Sequence, residues 1–276
     1  MTIYRGFIIW IVAIALILGA FLLFVQLGWP GQASDCIYKS PNGCFCESFD
    51  IAEVSSGAPG VRQPVNTWFN LYSLLSSFIV AFYVYADRRD LAGSPPPNQM
   101  RSHSWLPELY IFAVLFLGLG SMWFHASLTQ WGNFIDGVSM YVFAAFLASY
   151  SLRRIWESDT AFWIIYSLSL VLFSILHLFI PSFINILILV VAYFGVEIYI
   201  WLHTGKVMQG KSKTIWLWSL SIFSILVATF FWWASHSGNF LCDPDSFFQP
   251  HGLIWHPLAG VSAVLLYFYW RDAEDV

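Results

Sequence analysis

Apolar runs at about 6–28, 67–86, 108–126, 133–152, 160–180, 182–203, 214–234 and 252–270 dominate this 276-residue chain. Each approaches the ~20 residues that a helix needs to cross a bilayer. Only 10% of residues are charged and 58% are hydrophobic, against roughly 25% charged in a soluble domain. The expected fold is all-α: a polytopic membrane helical bundle in which a seven-helix unit follows one extra N-terminal transmembrane helix. The runs at 160–180 and 182–203 are divided mainly by Pro181 in LFIPSF; one helix across both would far exceed the bilayer, so two tightly joined spans are expected.

The first run has two readings. Arg5 before it and GQAS after it fit a cleaved signal peptide, but its apolar stretch exceeds the roughly 7–15 residues of a signal h-region. A retained anchor is the expectation. The chain then divides into an anchor at 1–28, an extracytoplasmic cap at 29–66 and the catalytic seven-helix bundle at 67–276.

Short cytoplasmic loops carry the excess of Lys and Arg. With the N-terminus cytoplasmic, Arg5, Arg88, Arg89, Arg101, Arg153, Arg154, Lys206, Lys211, Lys213 and Arg271 lie inside, ten of the twelve basic residues, leaving Lys39 and Arg62 outside. A miscounted helix would scramble this alternation. Cys36, Cys44, Cys46 and Cys242 then all face the extracytoplasmic side, where disulfides persist. Two bridges are expected. Four cysteines allow three pairings, and Cys44 with Cys46 is disfavoured by its one-residue loop. The CxC spacing also suggests metal binding, but no further cysteines complete such a site. A bridge to Cys242 would clamp the cap, rich in Gly, Pro and Ser, across the mouth of the bundle.

The loop at 87–107 contains SPPPNQ and reads as an irregular cytoplasmic turn. There is no internal repeat, no nucleotide-binding glycine loop and no basic surface for nucleic acid, so neither a nucleotide cofactor nor a nucleic-acid partner is expected. GLGS at 118–121 lets helices approach closely.

Against this apolar background, SMWFHASLTQWGNFIDG carries Ser121, His125 and Asp136, and HGLIWHP carries His251 and His256. Ionisable side chains at bilayer depth are costly and are functional candidates by default. Ser121 and His125, four residues apart, share a helix face. Asp136 follows just inside the next span, and the topology brings both terminal histidines to the same extracytoplasmic end. Zinc takes neutral imidazoles and, in catalytic sites, keeps a position for water beside three protein ligands. Asp136 would then move a proton and Ser121 would donate to an oxyanion. The chemistry so described is amide or ester hydrolysis of a lipid reaching the site from the bilayer.

The blander reading of a lone intramembrane histidine is a bond between helices. It is preferred for His177, which has no matching set, and for His203, at a cytoplasmic boundary. His103 falls in a cytoplasmic loop, His236 is a loop residue or a fourth polar contributor, and Glu197 is expected to pair or to reach the interface.

These residues resemble the alkaline ceramidase family, seven-helix membrane amidases in a superfamily with adiponectin-type receptors and Per1-like lipid-remodelling proteins. The resemblance covers about residues 44–271 and rests on CFCES with RQPVNTWFN, on GSMWFHASL with Asp136, and on CDPDSFFQPHGLIWH. It implies that His125, His251 and His256 bind zinc, that Asp136 activates water, and that Ser121 stabilises the oxyanion. It also implies a Cys46–Cys242 disulfide, leaving Cys36 for Cys44. Ceramide would be the lipid partner, cleaved to a sphingoid base and a fatty acid.

Two departures stand out. The family's HxxxH becomes a five-residue spacing from His251 to His256, which turns the two by about 140° on a regular helix. Pro257 cannot donate to the carbonyl four residues back, so a local widening or π-bulge is expected, or else His251 lies before the helix and reaches inward. The second concerns calcium. Glu47 follows Cys46 as in the family, but Cys44, Phe49 and Gln63 replace oxygen-bearing or acidic residues, with Asp50 and Glu53 nearby. Hard cations take six to eight oxygens, so Ca2+ at Glu47 is an expectation with an incomplete ligand set; solvation of the cap is the plainer role of these acids.

The leading function is therefore a zinc-dependent ceramidase. Alternatives are a hydrolase of another acyl ester or amide, and a seven-helix receptor with structural zinc. A retinal protein needs a lysine within a helix, but Lys39, Lys206, Lys211 and Lys213 sit in loops or at helix ends. A transporter would show repeated broken helices, and none is seen.

Overall fold

The structure, a computed structural model, describes residues 2–39, 45–203 and 212–273, with backbone only at 2–7, 39, 212 and 213. Cys44, and with it the expected bridge to Cys36, lies outside the described residues, as do Lys206 and Lys211. The described residues form α1 (Thr2–Leu27), α2 (Cys36–Lys39), α3 (Ile51–Ser56), α4 (Pro64–Phe69), α5 (Tyr72–Asp90), α6 (Leu106–Ser127), α7 (Gln130–Trp156), α8 (Asp159–Leu176), α9 (Ser182–His203), α10 (Ser212–Ala234) and α11 (His256–Asp272). A π-helical turn at His251–Trp255 leads into α11.

Among the described residues, eight spans are long and apolar enough to cross a membrane: Ile8–Leu27, Pro64–Asp90, Leu106–Ser127, Gln130–Trp156, Asp159–Leu176, Ser182–His203, Thr214–Ala234 and His251–Asp272. The protein is an all-α, multi-pass helical bundle. The second span is α4 and α5 together. Pro181 separates α8 from α9 as the sequence suggests, its carbonyl accepting from Ile184 in the first turn of α9.

α6 and α7 are the most enclosed spans, whereas α1, α8, α9 and α10 turn Leu16, Leu168, Val191 and Leu226 outward. That exposed apolar perimeter is what a chain surrounded by lipid requires. Inside, α7 packs against α6, α8 and α9, while α11 packs against α5 and α10. The close crossing of α6 depends on small residues. A Cβ on Gly118 would lie 2.4 Å from Ser73 Cβ of α5, and one on Gly120 would lie 2.7 Å from Ser139 Cβ of α7.

α6 and α7 meet in a two-residue turn at Leu128 and Thr129. Leu128 adopts φ 51°, and its N–H closes α6 onto the Phe124 carbonyl. Thr129 caps α7, its hydroxyl accepting from Gly132 N–H at 3.2 Å. The cap segment is pinned to this turn: Ser34 N–H donates to Leu128 C=O at 2.8 Å, and Gln130 N–H donates to Gln32 C=O at 2.9 Å. It is also pinned to the end of α6. Arg62 and Gln63 donate their backbone N–H groups to the Ala126 and His125 carbonyls, each at 3.1 Å, satisfying acceptors that the helix terminus leaves open. Trp29, at the start of the cap, packs on Phe21 and Trp123, joining α1 to α6.

Candidate metal centre

The helix end carrying His125 is tied to the cap by backbone bonds, so its side chains have a fixed frame. His125 is buried near the end of α6, facing the π-helical turn. There, His256 N–H bonds the His251 carbonyl five residues back instead of the carbonyl four back. This widened turn is one of the two distortions that the five-residue spacing calls for, and His251 is its first residue. Pro257, without an N–H, sits at the transition to α11.

The result is a buried cluster. One ring nitrogen from each of His125, His251 and His256 lies within 4.8 Å of the others, and the Nε2 atoms of His125 and His251 are 3.2 Å apart. His256 Nδ1 and Nε2 and His251 Nδ1 are buried without a hydrogen-bond partner. Buried polar atoms in native structures are nearly always bonded. Three buried imidazoles that turn one nitrogen each toward a common point, those of His125 and His251 meeting only each other and that of His256 having no partner, fit a divalent metal with nitrogen preference.

Asp136 is buried in α7, close to its start, and faces Ser121, one turn before His125 in α6. Gly120 lets α7 approach α6 closely here, and Ser139 secures the local backbone by donating to the Asp136 carbonyl at 2.7 Å. Tyr72, at the start of α5, stacks on His256 with ring centroids 5.9 Å apart and lies within electrostatic range of Asp136. Asp136, Ser121 and the three histidines thus share one end of the bundle.

The cap roofs this end. Cys46 and Cys242 form a disulfide across 196 residues of chain. Beside it, the Phe45 ring lies 4.9 Å from His125, 4.3 Å from His251 and 5.2 Å from His236, centroid to centroid. The Glu47 carboxylate accepts from Val65 N–H at 2.7 Å and Asn66 N–H at 2.8 Å, at the start of α4. Burial raises the Glu47 pKa, and those two backbone bonds oppose the shift. Asp50 caps α3. Glu53 pairs with Arg62 at 2.7 Å, and the buried Arg62 guanidinium also donates to the Ala58 and Pro59 carbonyls. Burial lowers the Arg62 pKa, against the pull of Glu53.

The remaining candidates lie elsewhere. His177 shares a hydrogen bond of 2.8 Å with the Tyr141 hydroxyl, His203 is exposed on Tyr199, and His103 is in an exposed bend. His236 follows α10 and bonds the Trp232 carbonyl at 2.9 Å; it touches Phe45 but is not among the three clustered histidines. Glu197 pairs with Arg154, which ties α9 to α7. Sequence reasoning missed Phe45 and Tyr72, since nothing distinguishes them in a chain that is 20% aromatic. It met Gln63 only as a missing carboxylate.

Fold and site together define a multi-pass helical bundle in which three buried histidines lie close enough to hold a metal ion. The family model named Ceramidase matches residues 61–273, every part of this centre except the cap residues before 61. The chain belongs to the ceramidase family, whose function is ceramide hydrolysis, with a lipid substrate and a membrane setting. No curated protein sequence matches the chain.

Proposed function

We propose that this protein is a zinc-dependent intramembrane amidase that hydrolyses ceramide to a sphingoid base and a free fatty acid, with the active site on the extracytoplasmic side. The observation that carries the proposal is the buried cluster of His125, His251 and His256, one ring nitrogen of each within 4.8 Å of the others, at the same end of the bundle as Asp136 and Ser121. A receptor or a structural site would not need a proton-transfer carboxylate at this depth.

His125, His251 and His256 would hold the metal. Zinc, when bound, supplies a Lewis acid that makes water nucleophilic near neutral pH and polarises a carbonyl. Asp136 takes a proton from the attacking water and delivers it to the leaving amine nitrogen, so that amide and water become acid and amine. The Ser121 hydroxyl donates to the oxygen that gains charge as the carbonyl is attacked. Phe45 and the cap above the histidines limit water at the reacting centre. The 29–66 segment acts as a cap and the 67–276 bundle as the catalytic unit. Calcium stays outside this reading, because Glu47, Asp50 and Glu53 are already engaged in the cap's own structure.

The test is fatty-acid release from a panel of ceramides and acyl-ester lipids by detergent-purified wild type and Asp136→Ala. Release from ceramide, lost in a variant that keeps its metal, supports the amidase. Release from esters alone moves the substrate to another acyl lipid. No release by a folded, metal-loaded wild type would leave the receptor reading in its place.

A further inference from the structure

Among the three clustered histidines, only His125 has its outward nitrogen engaged. His125 Nδ1 lies 2.7 Å from Gln63 Oε1, whereas His251 Nδ1 and both nitrogens of His256 have no partner. We propose that Gln63 is a positioning residue that fixes the tautomer and ring direction of His125, leaving its Nε2 lone pair free for the metal; this rests on the reading of the three histidines as ligands.

The amide orientation follows from its neighbours. Gln63 Nε2 lies 2.9 Å from the Glu47 carbonyl oxygen and 3.4 Å from that of Phe45. Both are acceptors, so the amide NH2 must face them, and Oε1 must face the imidazole. Oε1 can only accept. His125 therefore carries its proton on Nδ1, and a neutral imidazole so protonated has its lone pair on Nε2, the atom directed at His251.

The same residue is held at its backbone. Gln63 N–H donates to the His125 carbonyl at 3.1 Å, and the side chain is fully buried. Gln63 thus grips His125 at both main chain and ring. Its own amide is held by two carbonyls that flank Cys46, whose sulfur is bonded to Cys242. The chain of contacts runs from the disulfide-clamped cap, through one glutamine, to one ligand. An amide can make both sets of contacts at once, because it donates to the carbonyls and accepts from the ring. A carboxylate here would meet two carbonyl oxygens, which accounts for glutamine where an acid was expected.

Partners that orient a metal-binding histidine typically contribute 10- to 100-fold to metal affinity. The experiment uses full-length wild type and Gln63→Met, a substitution of similar length without hydrogen-bonding capacity. Zinc affinity is measured by chelator competition and ligand geometry by the visible spectrum of the cobalt(II)-substituted protein, with thermal unfolding of the metal-free forms as the check on folding. The tautomer of His125 is read in metal-free wild type from 15N-labelled imidazole shifts, assigned with His125→Ala. The expected result is a wild type protonated on Nδ1, and a folded Gln63→Met with roughly 10- to 100-fold weaker zinc binding and an altered cobalt spectrum. Unchanged affinity and spectrum, or a wild-type His125 protonated on Nε2, would overturn the role. If Gln63→Met does not fold, the wild-type tautomer decides alone. A wild type that takes up neither metal removes the metal centre itself, and the role of Gln63 falls with it; a metal-binding wild type with an indifferent Gln63→Met removes only the latter.

Discussion

Two buried polar clusters sit inside the same apolar bundle, and they are finished to different degrees. Around Glu197, every carboxylate oxygen is used: Ser151 donates at 2.5 Å, Arg154 at 2.9 and 3.1 Å, Tyr269 at 2.6 Å and Trp270 at 3.4 Å. These contacts join α7, α9 and α11. Around His256 neither ring nitrogen is used, and His251 Nδ1 is unused as well. Both clusters carry the cost of polar groups in a low-dielectric interior. The first offsets most of it within the protein, with Arg154 Nη2 alone left without a partner there. The contrast separates a structural clamp from three histidines placed closely enough to hold a metal ion.

The comparison breaks most decisively at Asp136. Asp136→Asn keeps the shape and the Ser121 contact but removes the proton acceptor. Fatty-acid release is expected to fall by roughly 10²- to 10⁴-fold, with metal content and thermal midpoint unchanged; a parallel loss of metal or fold would make Asp136 structural. At the other cluster the effects invert. Glu197→Ala leaves the buried Arg154 guanidinium unpaired, which costs about 3–5 kcal/mol. Thermal unfolding should register that loss while the surviving folded fraction binds zinc as wild type does. Reduced zinc affinity in that fraction would show that the clusters are coupled.

A smaller effect is expected from the metal itself. If the three histidines are ligands, zinc at 100 times its dissociation constant stabilises the protein by about 2.7 kcal/mol. Thermal midpoints measured across zinc concentrations should rise in wild type and stay flat in His256→Ala. The smallest effect belongs to His177, whose ring is already bonded to Tyr141. His177→Phe should leave turnover and metal content unchanged, and a loss of either would place His177 in the working site.

The sequence carried much of this because membrane burial makes polar residues conspicuous. The spans could be counted, since each needs about twenty apolar residues, and Ser121, His125, Asp136, His251 and His256 stand out where polarity is expensive. The wide turn at His251–Trp255 was also legible, from a five-residue spacing ahead of Pro257. The contributions of the cap were not. Phe45 is one of 26 phenylalanines, and its place over two histidines depends on how a non-helical segment folds back, which no periodicity encodes. Gln63 was read only against a calcium pattern, because its partners are backbone carbonyls and a ring 62 residues away. Tyr72 opens α5 within the second span, and nothing in its spacing marks it out among 13 tyrosines. The full set of partners around Glu197 was equally hidden, although its pairing was foreseen.

The central claim is that His125, His251 and His256 together hold one metal ion. Metal content per chain by inductively coupled plasma mass spectrometry tests it most directly, on wild type, His256→Ala and His177→Phe purified side by side without chelator. The account expects one zinc per chain in wild type and in His177→Phe and none retained in His256→Ala. A wild type without stoichiometric metal after exposure to zinc, or a His256→Ala that keeps it, would contradict the account.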